Sequence, residues 1–281
     1  MMSQKGIRSI LKVFYSNLYS PQSVDNEEIQ ELIAELPQFE GDQQQLLDSS
    51  ITAEELEAAM WSLKDGKASG IDGLPVEFYK VFWTLVGPDL LHVLEECIRV
   101  GELPLSCKRA VVCLLPEDGD SQQVENWRPV SLLCSDYKIF SKVLTSRMKN
   151  VIAWVINPDQ TYCVPGRSIH DNIFLVRDSI SCNNTLCDNF GLLFIDQAKA
   201  FDRVDHQYLF SVLKGMGFGE KFISYVKLLY NDTYYMVKVN NRLCPPFSFR
   251  RGIRQGCPLS GLLYTIALEP LLAFHRDVGP C

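Results

Sequence analysis

Apolar residues recur at helical spacing through the first part of the chain. The pattern predicts amphipathic helices from Ile7 to about Tyr19 and from Asn26 to Leu36, and a proline closely follows each of them. A third helix is expected up to Leu63, because Thr52 stands as an N-cap with Glu55 three residues later. The beginning of the chain is therefore predicted to be mostly helical.

Later segments alternate between strand-like and helix-like patterns. After a glycine-rich loop at 64–73, the predicted helices cover 76–100, 132–152, a stretch that starts at Asp171, and 259–274. The predicted strands are 109–115 and 191–196, and a hairpin is expected over 234–250. Strands and helices are interspersed without a regular βαβ rhythm, which favours an α+β fold.

Charge is divided unevenly along the chain, whose formal net charge is −7. Residues 1–126 hold 9 Lys and Arg against 22 Asp and Glu, a net charge of −13, whereas residues 127–281 hold 18 against 12, a net charge of +6. Neutralising the phosphates of a nucleic acid requires Lys and Arg. The asymmetry therefore favours a basic working surface in the second part, attached to an acidic accessory region.

The chain contains ten cysteines, but no two of them have the CxxC spacing of a zinc or redox motif. A chain of this length can build a core without disulfides, so reduced thiols are expected. The first residues lack the apolar run of a signal peptide, and the longest apolar stretch, 261–274, is shorter than a membrane span. We therefore expect a protein of the nucleus or cytoplasm that is not secreted and has no membrane partner.

Asp196 is a candidate for metal chemistry, because it ends the predicted buried strand 191–196. A carboxylate in such a place is costly unless a cation or hydrogen-bond donors neutralise it. An isolated aspartate here would be expected to cap the following turn. Asp202 and Asp205, however, are separate candidates for capping the next helix. Asp196 is thereby left as a candidate ligand, whereas Asp202 and Asp205 are expected to be structural.

Five blocks of sequence resemble the motifs of reverse transcriptases from non-long-terminal-repeat, LINE-type retrotransposons. Their A motif is similar to 194–204, Phe-Ile-Asp-Gln-Ala-Lys-Ala-Phe-Asp-Arg-Val, and their B motif to 251–260, Arg-Gly-Ile-Arg-Gln-Gly-Cys-Pro-Leu-Ser. Their fingers motif is similar to 126–138, which contains Asn-Trp-Arg-Pro-Val-Ser-Leu-Leu and Asp-Tyr-Lys. Upstream blocks at 67–80 and 166–173 also match. The five blocks follow the family's order and cover nearly the whole chain.

The resemblance implies a right-hand polymerase that copies RNA into DNA. The expected fold is then α+β, with fingers, a partial palm and a helical N-terminal extension. Residues 1–126 would form the acidic extension and the start of the fingers, residues 127–188 the fingers, and residues 189–281 the partial palm with the A and B motifs. An RNA template, a DNA primer and deoxynucleoside triphosphates would be its partners.

The resemblance also implies catalysis with a divalent metal, Mg²⁺ or Mn²⁺. Asp196 matches the family's catalytic and metal-binding aspartate of the A motif. The family's other carboxylates come from a hydrophobic-Ala-Asp-Asp hairpin, the C motif, but the chain has no Asp-Asp dipeptide and stops at Cys281, before that hairpin and the thumb should follow. We therefore expect a fragment that holds the metal weakly and is catalytically incomplete by itself.

Further residues match family positions that would contact the nucleotide or the template. They are Phe201, Arg128, Lys138, Arg167, Gln255 and Gly256. The aromatic ring would crowd the 2′-position of the incoming nucleotide, the Gln-Gly pair would lie against that nucleotide and the template base, and the cations would bind triphosphate or template-backbone oxygens. Residue chemistry alone leaves other roles open. Phe201 could be a core aromatic residue, the Gln-Gly pair a turn before a helix, and the cations solvated surface residues.

The chain departs from the family's pattern at two places. Tyr162-Cys163 stands where Gly-Phe is usual, which puts the conformation of the fingers loop in doubt. Gly261 stands where Pro is usual and is expected to soften the first turn of the B-motif helix, since Gly costs about 1 kcal/mol relative to good helix formers.

The leading functional hypothesis is a reverse transcriptase domain fragment of a LINE-type retrotransposon that is inactive alone. The alternative is a non-catalytic nucleic-acid-binding or protein-interaction remnant of that domain. A third hypothesis, an unrelated metal hydrolase that uses Asp196 and histidines, has less support, because the four histidines show neither HxH nor HxxxH spacing.

Overall fold

A computed structural model describes residues 4–186 and 192–277. The helices are α1 (Gln4–Leu18), α2 (Asn26–Ile33), α3 (Asp42–Asp48), α4 (Ala53–Ser62), α5 (Val76–Val100), α6 (Leu105–Lys108), α7 (Ser135–Val151), α8 (Ile169–Leu186), α9 (His206–Gly215), α10 (Glu220–Tyr230) and α11 (Ser260–Asp277). The strands are β1 (Arg109–Pro116), β2 (Trp127–Leu132), β3 (Tyr234–Val239), β4 (Arg242–Leu243) and β5 (Phe247–Ser248). The mixture of one sheet with many helices confirms the predicted α+β class.

The strands form one sheet in the order β2, β1, β3, β4, with β5 also paired to β3. β1 is antiparallel to β2, with Val112 opposite Ser131, and parallel to β3, with Val112 opposite Val237. β3 is antiparallel to both β4 and β5, so the hairpin predicted over 234–250 is confirmed. Because β1 pairs with β3, strands that are more than 100 residues apart in sequence share the centre of the sheet.

The strand predicted at 191–196 is wrong for the residues that the structure describes. Residues 192–197 adopt no regular secondary structure, and the side chains of Leu193, Phe194 and Ile195 are 78–84% exposed. In the 234–250 hairpin, β3 pairs with β1 on one side and with β4 and β5 on the other. A strand needs both a free edge and a buried face, and this hairpin offers the segment no free edge on β3.

Local sequence signals set several helix boundaries. The N-terminus of α4 has the predicted capping box, in which Thr52 Oγ1 accepts from the Glu55 amide (3.3 Å) and Glu55 Oε2 accepts from the Thr52 amide (3.1 Å). The helix predicted from residue 132 starts at Ser135, because residues 127–132 form β2. The pairing of β2 with β1 outweighs the helical pattern there.

The predicted N-terminal helices belong to the same hydrophobic core as the sheet. That core includes Tyr15 and Tyr19 at the C-terminal end of α1, together with Tyr235 on β3 and Phe247 on β5. The Tyr19 ring packs edge-on against Tyr235, with 5.2 Å between the ring centroids. The acidic first part is thus joined to the strands of the basic second part through one continuous core.

Two further observations concern membrane-spanning helices and cysteines. None of the helices in 4–186 and 192–277 combines the length and the hydrophobicity needed to cross a membrane. The eight cysteines in these ranges are free thiols.

Candidate functional site

The A and B segments line one side of an open cleft of about 850 Å³. The cleft also receives residues from the end of β1 and from β2. Of the residues singled out in the sequence, it brings together Asp196, Phe201, Arg128, Gln255 and Gly256. Lys138 and Arg167 do not line it.

Backbone hydrogen bonds fix the A segment against the B segment. The Ile253 amide donates to the Phe201 carbonyl (2.7 Å), and the Gly252 amide donates to the Val204 carbonyl (2.7 Å). Gly252 has a φ of +98°, and a Cβ there would lie 3.0 Å from the Asp202 carbonyl oxygen. A side chain at this position would strain the turn and separate the two segments.

Asp202 is buried at the junction of the two segments. It is 1% exposed, and its Oδ1 accepts from the Tyr19 hydroxyl (2.9 Å), while Gln255 Nε2 donates to both carboxylate oxygens (3.2 Å each). Burial raises the pKa of Asp202 to about 6, although the hydrogen bonds from Tyr19 and Gln255 and the nearby Lys199 oppose this rise. The carboxylate thereby orients the Gln255 amide beside the cleft.

The structural roles predicted for the two later aspartates are realised in different ways. Asp205 caps α9, since its Oδ1 accepts from the amides of Gln207 (2.8 Å) and Tyr208 (3.1 Å). The prediction that Asp202 is a helix cap is wrong, because its carboxylate faces Tyr19 and Gln255 instead. The hydroxyl of Tyr19, the residue directly after α1 and outside the recognisable motifs, provides the partner that sequence patterns did not indicate.

Phe201 and Tyr162 both line the cleft, and Tyr264 contacts each of their rings. The Phe201 ring stacks on Tyr264 with 4.6 Å between centroids and 19° between planes. The Tyr264 ring in turn lies edge-on to Tyr162, at 6.1 Å. The Phe201 ring is therefore held in one orientation while one side of it faces the cleft.

The two departures from the family's pattern meet in the structure. A Cβ built on Gly261 would lie 2.5 Å from Cys163 Sγ and 3.7 Å from the Tyr162 hydroxyl. With Cys163 at this position, only a residue without a side chain fits at 261 unless the sulfur moves. The two departures therefore accommodate each other, which sequence analysis of each position alone could not show.

Two cations and a carboxylate also line the cleft. Glu117 accepts from Arg128 Nε (2.7 Å) and from Lys199 Nζ (3.3 Å), and Lys199 Nζ also donates to the Trp127 carbonyl (3.1 Å). Desolvation opposes ionisation of Glu117, but the hydrogen bonds from Arg128 and Lys199 outweigh it and lower the pKa of this carboxyl. Lys199 was missed in the sequence analysis, although its place inside the A motif was a usable signal.

Lys138 and Arg167 are used within the fold. Lys138 Nζ donates to the Ala68 carbonyl (2.9 Å), and burial lowers the pKa of this amine. Arg167 donates to the backbone carbonyls of Ile156 (2.9 Å), Asn157 (2.5 Å) and Gln160 (2.8 Å). These bonds hold the Arg167 guanidinium against the chain between α7 and α8.

The carboxylates of the cleft do not fit a two-metal centre. Asp196 is exposed, Glu117 is bound to two cations, and Asp202 is buried against Tyr19. Within the described ranges, the sole group of Asp, Glu, His or Cys side chains close enough to share an ion does not include Asp196. Hard cations such as Mg²⁺ need several oxygen ligands fixed around them.

Comparison with known proteins identifies the family. Residues 116–278 match the family model described as reverse transcriptase (RNA-dependent DNA polymerase). The transposon TX1 uncharacterized 149 kDa protein of Xenopus laevis is 46% identical over 272 residues, which cover 97% of this chain and 21% of that protein. The Pol polyprotein of the type-1 retrotransposable element R2 from Popillia japonica is 26% identical over 229 residues, which cover 79% of this chain and 30% of the polyprotein.

A further relative is the probable RNA-directed DNA polymerase from transposon BS of Drosophila melanogaster. It is 28% identical over 219 residues, covering 77% of this chain and 24% of that protein. The chain thus spans less than a third of the length of each of these curated relatives. The matched region includes the A and B segments that form the cleft, and the chain belongs to the reverse transcriptase family, with relatives among the non-long-terminal-repeat retrotransposons.

Proposed function

We propose that the cleft is the site where a reverse transcriptase domain receives a deoxynucleoside triphosphate opposite an RNA template and beside a DNA primer. The observation that carries the proposal is the direct hydrogen bond between the Ile253 amide and the Phe201 carbonyl, at 2.7 Å. It places the A and B segments on one cavity that is wide enough for a nucleotide. Family membership supports these substrates.

The proposed roles follow the chemistry of each side chain in the cleft. Phe201, held by its stack on Tyr264, limits the space beside the sugar 2′-position. Gln255 and Gly256 contact the nucleotide and template base from the B side. Arg128 and Lys199 donate to triphosphate oxygens after their ion pairs with Glu117 break.

Lys138 and Arg167 are still proposed to contact nucleic acid, but at a place other than the cleft. Because both lie outside the cleft, the template backbone is the contact to test for them. Lys138 lines a neighbouring cavity of about 400 Å³ that shares Gly256 with the cleft. A template strand in this cavity would therefore lie next to the cleft.

The division into fingers and palm is also a proposal. We assign residues 127–188 to the fingers, residues 189–281 to the partial palm, and residues 1–126 to an extension that contributes the start of the fingers. The buried contact of Tyr19 with Asp202 supports an extension that is packed on the palm.

Reverse transcriptases generally use divalent metal ions. We propose Asp196 as the residue of this chain that ligates Mg²⁺ or Mn²⁺, in keeping with its place in the A segment. Because Glu117 and Asp202 are engaged elsewhere, and no group of three ligand side chains within the described ranges includes Asp196, we propose that the described residues alone hold the ion too weakly for synthesis.

The first prediction concerns sugar selection. Phe201→Ala opens space beside the 2′-position, so it should narrow the preference for dATP over ATP in equilibrium binding by about tenfold. Phe210→Ala is the matched control, because Phe210 is a partly buried aromatic residue that lines a different cavity. Unchanged preference in the Phe201 variant, or the same change in the control, would remove Phe201 from the sugar site.

The second prediction concerns catalysis. The purified chain, given an RNA template, a DNA primer and Mg²⁺ or Mn²⁺, should extend no primer beyond a heat-inactivated control. Asp196→Ala should change neither this result nor the affinity for RNA. Extension by the unmodified chain would show that the catalytic carboxylates are misassigned. Salt-sensitive RNA binding without any nucleotide binding would instead favour the alternative function, a non-catalytic nucleic-acid-binding remnant.

A further inference from the structure

Two thiols and two carboxylates meet at the N-terminus of α7, outside the cleft described above. The ligand atoms of Asp72, Cys134 and Asp136 all lie within 4.8 Å of one another. The thiol of Cys107, in α6, lies outside this group of three but beside the Asp136 carboxylate. Three separate segments of the chain thus contribute side chains to one cluster.

The backbone holds these segments in close contact. A Cβ on Gly70 would lie 2.4 Å from the Cys134 amide nitrogen, so the loop before α5 approaches α7 at a distance that only glycine permits. Ser135 Oγ donates to the Leu74 carbonyl (2.7 Å) on one side. On the other side, Cys134 Sγ lies 3.4 Å from the Ser106 carbonyl oxygen. The cluster is therefore part of a tightly built junction.

The cluster carries negative charge in the absence of an ion pair. In the part of the chain that the structure describes, neither Asp72 nor Asp136 is joined to a Lys or Arg by a salt bridge. Burial raises the pKa of Asp136, and the negative charge of Asp72 adds to this rise. Lys138 of α7 donates to the Ala68 carbonyl, and its charge acts on Asp72 and Cys134 without forming a salt bridge.

The thiols are protonated at neutral pH when no ion is present. Burial raises the pKa of Cys134 to about 11, and burial together with Asp136 raises the pKa of Cys107 further. Each thiol lies beside an aspartate, since the Cys134 sulfur is within 4.8 Å of an Asp72 carboxylate oxygen and Cys107 neighbours Asp136. Two sulfurs and two carboxylates are suitable ligands for a borderline-soft divalent cation such as zinc. The cation displaces the two thiol protons when it binds.

We propose that Cys107, Cys134, Asp72 and Asp136 form a binding site for a zinc ion. Binding converts two thiols to thiolates and releases two protons, giving a four-coordinate S₂O₂ shell. Tetrahedral zinc with bonds of about 2.0–2.3 Å places its ligand atoms about 3.3–3.8 Å apart. Binding therefore draws together the ligand atoms of Asp72, Cys134 and Asp136, which lie within 4.8 Å of one another, chiefly by movement of the exposed Asp72. It also moves the Cys107 sulfur in from its place beside Asp136. The thiolates favour zinc over Mg²⁺.

The site would tie three parts of the fold together at one point. It would fasten the loop before α5 and the α6 turn before β1 to the first turn of α7. This role does not depend on the proposed nucleotide site.

The test uses the reduced, full-length chain and Co²⁺ as a spectroscopic substitute for zinc. We expect one Co²⁺ per chain, with a thiolate-to-cobalt charge-transfer band that zinc abolishes by displacement. Cys134→Ser and Asp72→Asn should each weaken binding about 10-fold or more. Cys113→Ser is the control, because this partly buried cysteine of β1 lies outside the cluster, and its binding should be unchanged.

Asp72→Asn keeps the test decisive if the buried serine variant does not fold, since Asp72 is exposed. Binding without a thiolate band, binding unaffected by Asp72→Asn, or a Cys107–Cys134 disulfide that forms in reducing buffer would overturn the proposal. Because no nucleotide or template is present, failure here leaves the assignment of the cleft untouched.

Discussion

Replacing Arg254 by alanine is expected to lower the free energy of unfolding by about 3–5 kcal/mol. The Arg254 side chain is fully buried, its guanidinium carbon lies 4.9 Å from the Tyr137 ring centroid, and its terminal nitrogens donate to the carbonyls of Cys107 (3.3 Å) and Lys108 (3.4 Å). Truncation leaves a large cavity between aromatic rings and two carbonyls without these donors. Urea unfolding monitored by fluorescence measures the loss.

Two further variants separate packing from charge at this position. Arg254→Met preserves most of the side-chain volume and removes a buried charge, so we expect it to be much less destabilising than alanine. Arg250→Ala removes an exposed arginine of the same segment and should change stability by about 0.5 kcal/mol or less. A loss of less than about 1 kcal/mol for Arg254→Ala would contradict the buried placement of the B segment.

Replacing Tyr19 by phenylalanine is expected to destabilise the protein in a pH-dependent manner. The variant leaves the buried Asp202 without its 2.9 Å hydrogen bond, which costs about 1.5–3 kcal/mol when the carboxylate is charged. The cost should be full at pH 8 and smaller at pH 5, because the pKa of Asp202 is about 6 and its carboxyl is mostly neutral at pH 5. Removal of this donor should raise that pKa further.

The direction of this pH dependence follows from proton binding. Because the pKa of Asp202 is raised from 3.8 to about 6, the folded chain binds this proton more tightly than the unfolded chain. The carboxyl therefore contributes stability that is fully present below about pH 4 and is lost as the pH rises through about 6. Lys199, Glu117 and Tyr15 also face this region, so the measurement compares variants rather than absolute values.

Tyr15→Phe is the matched control for Tyr19→Phe. Tyr15 is equally buried on α1, but its hydroxyl donates to the neutral Trp127 carbonyl (3.3 Å), so its cost should depend little on pH. In the Asp202→Asn background, the loss of unfolding free energy caused by Tyr19→Phe should fall toward the loss caused by Tyr15→Phe. Equal costs at both pH values in the wild-type background would contradict a charged Asp202 facing Tyr19.

Short-range signals in the sequence were sufficient for most of the secondary structure. The Thr52 capping box, α5 at Val76–Val100 and the hairpin after β3 follow from capping, spacing and turn residues. The strand at 191–196 could not be judged in this way. Its apolar run fits a strand, but whether a strand forms depends on a free partner edge, and the edges of β3 are occupied by β1 and by the rest of its own hairpin.

The candidate site was predicted in part for a similar reason. The A and B motifs correctly indicated that Phe201 and Gln255 share one cavity. Motif position could not reveal that Arg167 binds backbone carbonyls, since this depends on how the chain folds around it. Nor could it reveal Tyr19, which lies 183 residues from Asp202 in sequence and has no motif of its own.

The most direct test of the proposed nucleotide site is photocrosslinking of the chain with an azido derivative of dATP in the presence of an RNA template and a DNA primer. Mass spectrometry of the digested product locates the modified peptides. We expect saturable crosslinks in 196–203 and 255–261 that unlabelled dATP suppresses, because residues of these segments line the cleft. Crosslinks confined to other segments, such as the cavity beside Phe210, or labelling that does not saturate, would contradict the assignment of this cleft as the nucleotide site.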